Sequence, residues 1–386
     1  MSTENPLVPL IHEALSHVDD PEIRRPITDL GMVDEIDVDD SNRVTVKVLL
    51  TVAGCPLKTT LRQNVTEAVQ TVDGVSGVHV ELGVMSDEQR DAVKTQLRGG
   101  VPERVIPFAQ PGSTTKVIAV ASGKGGVGKS SVTVNLALAL AARGRNVGLL
   151  DADIYGHSVP DMLGVGEARP TPLDDLLLPV PVLDIKTISV GMLKPNRSDV
   201  IAWRGPILDR ALTQLLADVH WGDLDYLLID LPPGTGDIAM SLGQKIPNSE
   251  VLVVTTPQQA ASEVAVRAGT MAGIMQQQVI GVIENMSWLE TPCPHCGRTH
   301  RVELYGSGGG QAAAEALSAQ LGTEVPLLGQ IPIDIDLRSG GDEGDPIVVA
   351  HPESAAARAL TDLADTLDSR PRGLAGMNLG LTPVAN

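Results

Sequence analysis

The chain has 386 residues, of which 42% are hydrophobic, enough for real cores in two domains or in one large domain with a smaller companion. One Phe, three Trp and three Tyr are present, so those cores must be aliphatic, as buried parallel strands usually are. The formal charge of −19, from 48 acidic and 29 basic side chains, argues against binding nucleic acid non-specifically and against docking on anionic lipid. Three cysteines make no disulfide framework in a chain this long, and no apolar stretch could span a membrane. The N-terminus, with Glu4 and Pro6, lacks a signal-peptide pattern, so a cytoplasmic protein with reduced thiols is expected.

Residues 1–97 read as a small α+β domain. Residues 7–18 have helical spacing and end at Asp19-Asp20-Pro21. Residues 43–51 alternate apolar and polar side chains, the mark of a half-buried strand; a helix follows over 57–72 and a second alternating strand over 75–84. No phosphate loop or ligand cluster occurs here, which points to a binding or scaffolding module. The pattern Asp20-Pro21-Glu22-Ile23, Leu30-Gly31-Met32-Val33 and Thr51…Cys55-Pro56 resembles the small domain of SufT-like iron–sulfur assembly factors. Cys55 reads either as a buried small hydrophobe or as an accessory thiol. Residues 98–115, rich in Pro and Gly, read as a linker.

From 116 to 370, aliphatic strands alternate with helical patterns. Strands are predicted at 116–122, 146–150, 184–190, 226–229, 251–255, 279–284 and 327–331. Such alternation predicts an α/β domain, a mostly parallel sheet covered by helices on both faces. Residues 371–386, rich in Gly, Pro and Asn, read as a disordered tail without a basic amphipathic helix.

The stretch Gly123-Lys124-Gly125-Gly126-Val127-Gly128-Lys129-Ser130 is a phosphate-binding loop, G-x-x-x-x-G-K-S, set between a strand and a helix that continues through Ser131. Its glycines let backbone N–H groups approach phosphate oxygens; Lys129 would reach the β- and γ-phosphates and the Ser130 hydroxyl would bind Mg²⁺. Lys124 has no task on its own chain's nucleotide. The pattern K-G-G-V-G-K-S resembles the deviant P-loop ATPases, which include the MinD and ParA group, the nitrogenase iron protein and Mrp-type iron–sulfur carriers. That resemblance implies a homodimer with ATP at the interface, where Lys124 crosses to the partner's phosphates and acts as an arginine finger does.

Asp151 and Asp153 end the second strand, where carboxylates face the γ-phosphate and can orient water or hold Mg²⁺ through water. The resemblance gives the water-positioning role to Asp153. Tyr226-Leu227-Leu228-Ile229-Asp230 is an apolar strand ending in the carboxylate that Mg²⁺ requires, and Leu231-Pro232-Pro233-Gly234-Thr235-Gly236-Asp237 continues it as a switch loop. The resemblance to deviant P-loop ATPases implies that Asn285, after the strand at 279–284, hydrogen-bonds the adenine, although an Asn at a strand end is also a common turn residue.

Cys293-Pro294-His295-Cys296-Gly297 is a C-x-x-C turn that aims two thiolates at one metal. Tetrahedral thiolate sites take four ligands, so two copies meeting on a two-fold axis would complete one, holding zinc or a [4Fe–4S] cluster. His295 and His300 could instead complete a zinc site within one chain. Ligand spacing alone leaves both open. Trp203-Arg204-Gly205-Pro206, Trp221-Gly222-Asp223-Leu224-Asp225-Tyr226, the 230–237 loop, Glu284-Asn285-Met286-Ser287 with the Cys pair, and Gly329-Gln330-Ile331-Pro332-Ile333 resemble Mrp-type (ApbC-like) ATPases. This resemblance favours the cluster and implies an ATPase that carries it between subunits, meets assembly scaffold proteins and delivers to apo iron–sulfur proteins. The acidic composition and the absence of a basic amphipathic helix in the tail leave no nucleic-acid or membrane partner expected. The alternatives are a ParA/MinD-like positioning ATPase and a zinc-bridged regulatory ATPase dimer.

Overall fold

The structure, a computed structural model, describes residues 5–51, 57–97, 105–154, 156–174, 176–194 and 205–370. It divides into two compact units. One consists of Met1–Arg104 with Pro170–Pro181 and Asp218–Gly222; the other holds Val105–Arg169, Val182–Ala217 and Asp223–Asn386.

In the smaller unit, strands Val33–Val38 and Arg43–Leu50 pair antiparallel, and Arg43–Leu50 pairs parallel with Gly77–Val84. The parallel pair requires a crossover, which the helix Lys58–Gln70 supplies. Alternation along Arg43–Leu50 buries Val44, Val46 and Val48 against Leu61, Val65 and Val69 of that helix and Ile11 and Leu15 of the first. The first helix, Leu7–Leu15, stops three residues earlier than its periodicity suggests. Beyond it, the Asp20 carboxylate accepts the Glu22 and Ile23 amides and holds a turn. Burial of Asp20 raises its pKa. Strand Val33–Val38 and helix Asp87–Leu97 were not predicted: the strand has an exposed, acidic outer face and the helix is strongly polar, so neither shows a clean apolar period. A further antiparallel pair, Thr171–Leu173 with Leu176–Leu178, joins this core through Leu173, Leu176 and Leu178.

The larger unit is built on a parallel sheet. Strand by strand the order is Leu327–Ile333, Gln278–Pro292, Glu250–Thr255, Lys116–Ser122, Tyr226–Asp230, Val147–Asp151 and Ile185–Ser189. Burial on both faces explains why these strands read as continuous aliphatic runs. Helices Lys129–Ala141 and Ala355–Ser369 belong to the same core, Leu136 and Leu140 of one meeting the cluster of Leu360, Leu363 and Leu367 of the other. Part of the predicted linker is structured, since Pro107–Ala109 forms a short 3₁₀ turn with Phe108 buried. Gln278–Pro292 overruns its predicted end by eight residues. It leaves the sheet and returns antiparallel as Thr299–Val302, forming a hairpin with the C-x-x-C turn at its tip. The predicted tail, Cys55, Trp203 and Arg204 lie outside the described residues.

Candidate nucleotide and metal sites

Strand Lys116–Ser122 runs into the glycine loop, and the loop into helix Lys129–Ala141. Three glycines meet distinct physical demands. A Cβ on Gly123 would lie 2.2 Å from the Val264 carbonyl carbon, so helix Gln259–Ile274 could not approach. Gly126 and Gly128 have φ of +79° and +78°, left-handed values that favour glycine. No side chain caps the helix at Gly128, which leaves its first N–H groups for an anion. Beside it lies a cavity of 230 Å³ lined by Lys124, Gly125, Gly126, Val127, Gly128, Lys129, Ser130, Ser131, Asp153 and Pro233, among others.

Below the loop, Lys129 Nζ lies 2.7 Å from Asp230 Oδ1, and both groups are buried. The Ser130 hydroxyl donates to Asp230 Oδ2 at 2.6 Å and Thr133 Oγ1 donates to Oδ1 at 2.9 Å. Lys129, Ser130 and Asp230 therefore already converge in a geometry that could hold Mg²⁺ and phosphate oxygens. Register sets the next feature: Asp230 sits directly beside Asp151 on the neighbouring strand. Burial, and then the Asp230 charge, push the Asp151 carboxyl up to about 8. Asp151 is tied down by the Ser189 hydroxyl at 3.0 Å and the Asp153 amide at 3.1 Å, whereas Asp153 lines the cavity and accepts the Gly156 amide at 2.9 Å. Lys124 is half-buried and makes no ion pair among the described residues.

Asn285 touches the loop directly. Its Nδ2 donates to the Val127 carbonyl at 2.9 Å, and its Oδ1 is buried with no partner among the described residues. Just beyond it, Met286 has φ +58° and the ladder to Leu327–Ile333 skips between Asn285 and Leu289. The strand thereby leaves the core and becomes the exposed hairpin. Its stem is held by Arg301, which stacks 4.2 Å from the Trp288 ring centroid and lies 3.5 Å from Glu290. At the tip, the Cys293 amide donates to the Arg298 carbonyl and the Gly297 amide to the Cys293 carbonyl, with Gly297 at φ +67° closing the turn. Cys293 is half-buried and Cys296 exposed. Hydrogen bonds from the Cys296 and His295 amides and the Cys296 side chain lower the Cys293 pKa, which favours the thiolate that metals take. The thiols of Cys293 and Cys296 and a ring nitrogen of His300 all lie within 4.8 Å of one another; His295 is not part of this group.

Residues 113–368, from just before the P-loop strand almost to the end of the last helix, match the family model described as NUBPL iron-transfer P-loop NTPase. The chain belongs to that family. It is accordingly an enzyme, an ATPase of the P-loop class, with an α/β fold. Residues 10–82 match a second model, that of an iron–sulfur cluster assembly protein, in agreement with the SufT-like pattern. Among curated relatives, the iron–sulfur cluster carrier protein of Mycobacterium tuberculosis H37Rv is 55% identical over 374 residues, covering 97% of this chain and 96% of its own. That of Bacillus subtilis is 38% identical over 324 residues, covering 84% and 87%. A solved nucleotide-binding protein of Archaeoglobus fulgidus, in complex with ADP and with cobalt found in it, is 35% identical. It covers 64% of this chain and 95% of its own at a TM-score of 0.51.

In this P-loop NTPase, Thr133 and Ser189 escaped sequence reasoning. Thr133 was legible, lying one helical turn after Lys129 and so on the same face. Ser189 was not: its contact with Asp151 depends on strand order, which brings Ile185–Ser189 beside Val147–Asp151. No helix among the described residues is long and apolar enough to cross a membrane.

Proposed function

We propose that the chain binds and hydrolyses ATP with Mg²⁺ as a homodimer and carries a bridging [4Fe–4S] cluster for delivery to apo iron–sulfur proteins. One observation carries this reading: a single strand, Gln278–Pro292, braces the P-loop through Asn285 and leads straight to the exposed Cys293–Cys296 turn. Two thiolates per chain are half of what a cubane cluster takes, and a second copy related by a two-fold axis supplies the rest. An exposed hairpin tip suits cargo that must leave.

The nucleotide roles follow from the chemistry of the loop. The uncapped helix N-terminus and the Gly125, Gly126, Val127 and Gly128 amides cradle phosphate, and Lys129 leaves Asp230 for the β- and γ-phosphates. Ser130 and Asp230 fit Mg²⁺, their oxygens already facing at 2.6 Å, and the ion would neutralise phosphate charge. Asp153 orients the attacking water, Asp151 holds Asp153 in place, and Lys124 reaches the partner's phosphates. Asn285, whose buried Oδ1 has no partner among the described residues, would accept from the adenine amino group once the site opens to nucleotide. The smaller unit, Met1–Arg104 with Pro170–Pro181 and Asp218–Gly222, is the assembly domain that meets scaffold proteins, and the larger unit is the ATPase domain, in a cytoplasmic protein without nucleic-acid or membrane partners.

Anaerobic reconstitution of the full chain with iron and sulfide tests the reading. About four irons per two chains are expected, as cubane ligation by four cysteines requires. Cys293→Ala should lose the cluster and keep nucleotide binding. A Cys293→Ala protein that still held four irons would overturn the ligand assignment.

A further inference from the structure

The hairpin tip brings a third ligand to the two cysteines. Cross-strand register sets His300 opposite Thr291, and one residue past the strand's end the Cys293 amide donates to the Arg298 carbonyl, so the turn brings Cys293 and Cys296 back toward His300. The consequence is a distance of 3.7 Å between Cys296 Sγ and His300 Nε2, with all three donor atoms within 4.8 Å of one another. In a tetrahedral site with ordinary metal–sulfur and metal–nitrogen bonds, donor atoms stand ~3.5–3.8 Å apart. The Cys296–His300 edge already has that length, and the remaining edges need only a small closure of an exposed turn. All three donors are at the surface or half-buried, so a metal ion can reach them without unfolding anything.

We infer that Cys293, Cys296 and His300 of one chain together bind a single divalent transition-metal ion of the zinc and ferrous class, without a second copy. The inference rests on reading the two thiols as metal ligands, but not on the cluster. Two thiol protons leave on binding, and His300 coordinates as neutral imidazole through Nε2, with its proton on Nδ1. Three protein ligands leave the fourth tetrahedral position open to water or to a donor's thiolate, the arrangement that permits exchange. His300 thus substitutes for the second chain's thiolates while the protomer stands alone. A protomer can hold one ion by itself, whereas the four-thiolate cluster site forms only on pairing.

Cobalt(II) titration of the reduced full chain, followed by visible d–d and thiolate charge-transfer absorption, tests this. One cobalt per chain with a tetrahedral spectrum is expected. His300→Ala should weaken cobalt binding by at least ~10-fold, the low end of what losing even an outer-shell partner costs a metal site. His300→Cys should restore the affinity with stronger charge-transfer absorption, as a third thiolate requires. Either unchanged cobalt affinity in His300→Ala, or wild-type protein taking one cobalt per two chains with a four-thiolate spectrum, overturns the inference. The two readings fail separately. His300→Ala reconstituted anaerobically still takes about four irons per two chains if the cluster reading holds, and loss of that stoichiometry in the wild type leaves the single-ion site standing on its cobalt titration.

Discussion

Gly128→Ala probes how tightly the strand that carries the cysteines is locked to the P-loop. Gly128 sits at φ +78°, where a residue with a Cβ costs about 1–2 kcal/mol. The added carbon would also lie 2.2 Å from Asn285 Nδ2, far inside contact distance. Asn285 must then withdraw its amide, leaving the Val127 carbonyl and the amide itself without partners in a buried setting, roughly 1–3 kcal/mol more. The total is about 2–5 kcal/mol, summing the backbone and hydrogen-bond contributions. Because the chain has two compact units, a single unfolding transition is not the right observable. Hydrogen exchange of the buried amides in helix Lys129–Ala141 reports this unit directly, and protection should fall about thirtyfold or more, the equivalent of 2 kcal/mol. Asn285→Ala removes both the clash and the hydrogen bond. In that background Gly128→Ala should cost only the backbone part, giving a coupling of about 1–3 kcal/mol in the double-mutant cycle. Additivity of the two substitutions within about 0.5 kcal/mol would refute the reasoning.

The Asp151 carboxyl, at about 8 in the folded chain against an ordinary 3.8, holds a proton that the unfolded chain has released over that interval. Its contribution to stability is complete below about pH 4 and declines as pH rises toward 8; Asp151→Asn should flatten the slope of stability against pH in nucleotide-free protein, read by hydrogen exchange. Lys129→Ala strands the buried Asp230 charge and should destabilise the nucleotide-free unit by about 3–5 kcal/mol, most of it recovered in Lys129→Ala/Asp230→Asn. If the double variant is no better than the single one, the ion pair is not what matters there. Lys124→Ala breaks no ion pair among the described residues and should leave stability within about 0.5 kcal/mol. Its ATP affinity should hold while hydrolysis falls on the order of 10³-fold, as removal of an arginine finger does; unimpaired turnover would exclude a role across the dimer.

The P-loop was legible because its function requires a contiguous run whose backbone does the binding. Asp230 was legible as the last residue of an aliphatic strand, and Asp153 as a carboxylate two residues beyond the end of another, Val147–Asp151. Other features were illegible for identifiable reasons. The hairpin beyond Glu284 could not be read because Trp288, Leu289 and Val302 are only partly covered and the stem is held by local stacking and charge. Leu173, Leu176 and Leu178 share a core with Val44, Val46 and Val48, far away along the chain, and no local pattern encodes such a pairing.

Sequence by itself determined the nucleotide loop, the class of sheet around it and the two thiols, since each depends on neighbours within a few positions. Tertiary structure alone decided that Asp151 is fully buried beside Asp230, so that burial first and the neighbouring charge second raise its pKa. It alone decided that Asn285 braces Val127, and that His300 rather than His295 faces the cysteines. The reason is physical: strand order and cross-strand register follow from burial summed over the whole core. Electrostatics and metal geometry depend on those distances of a few ångströms, which residue spacing along the chain does not contain.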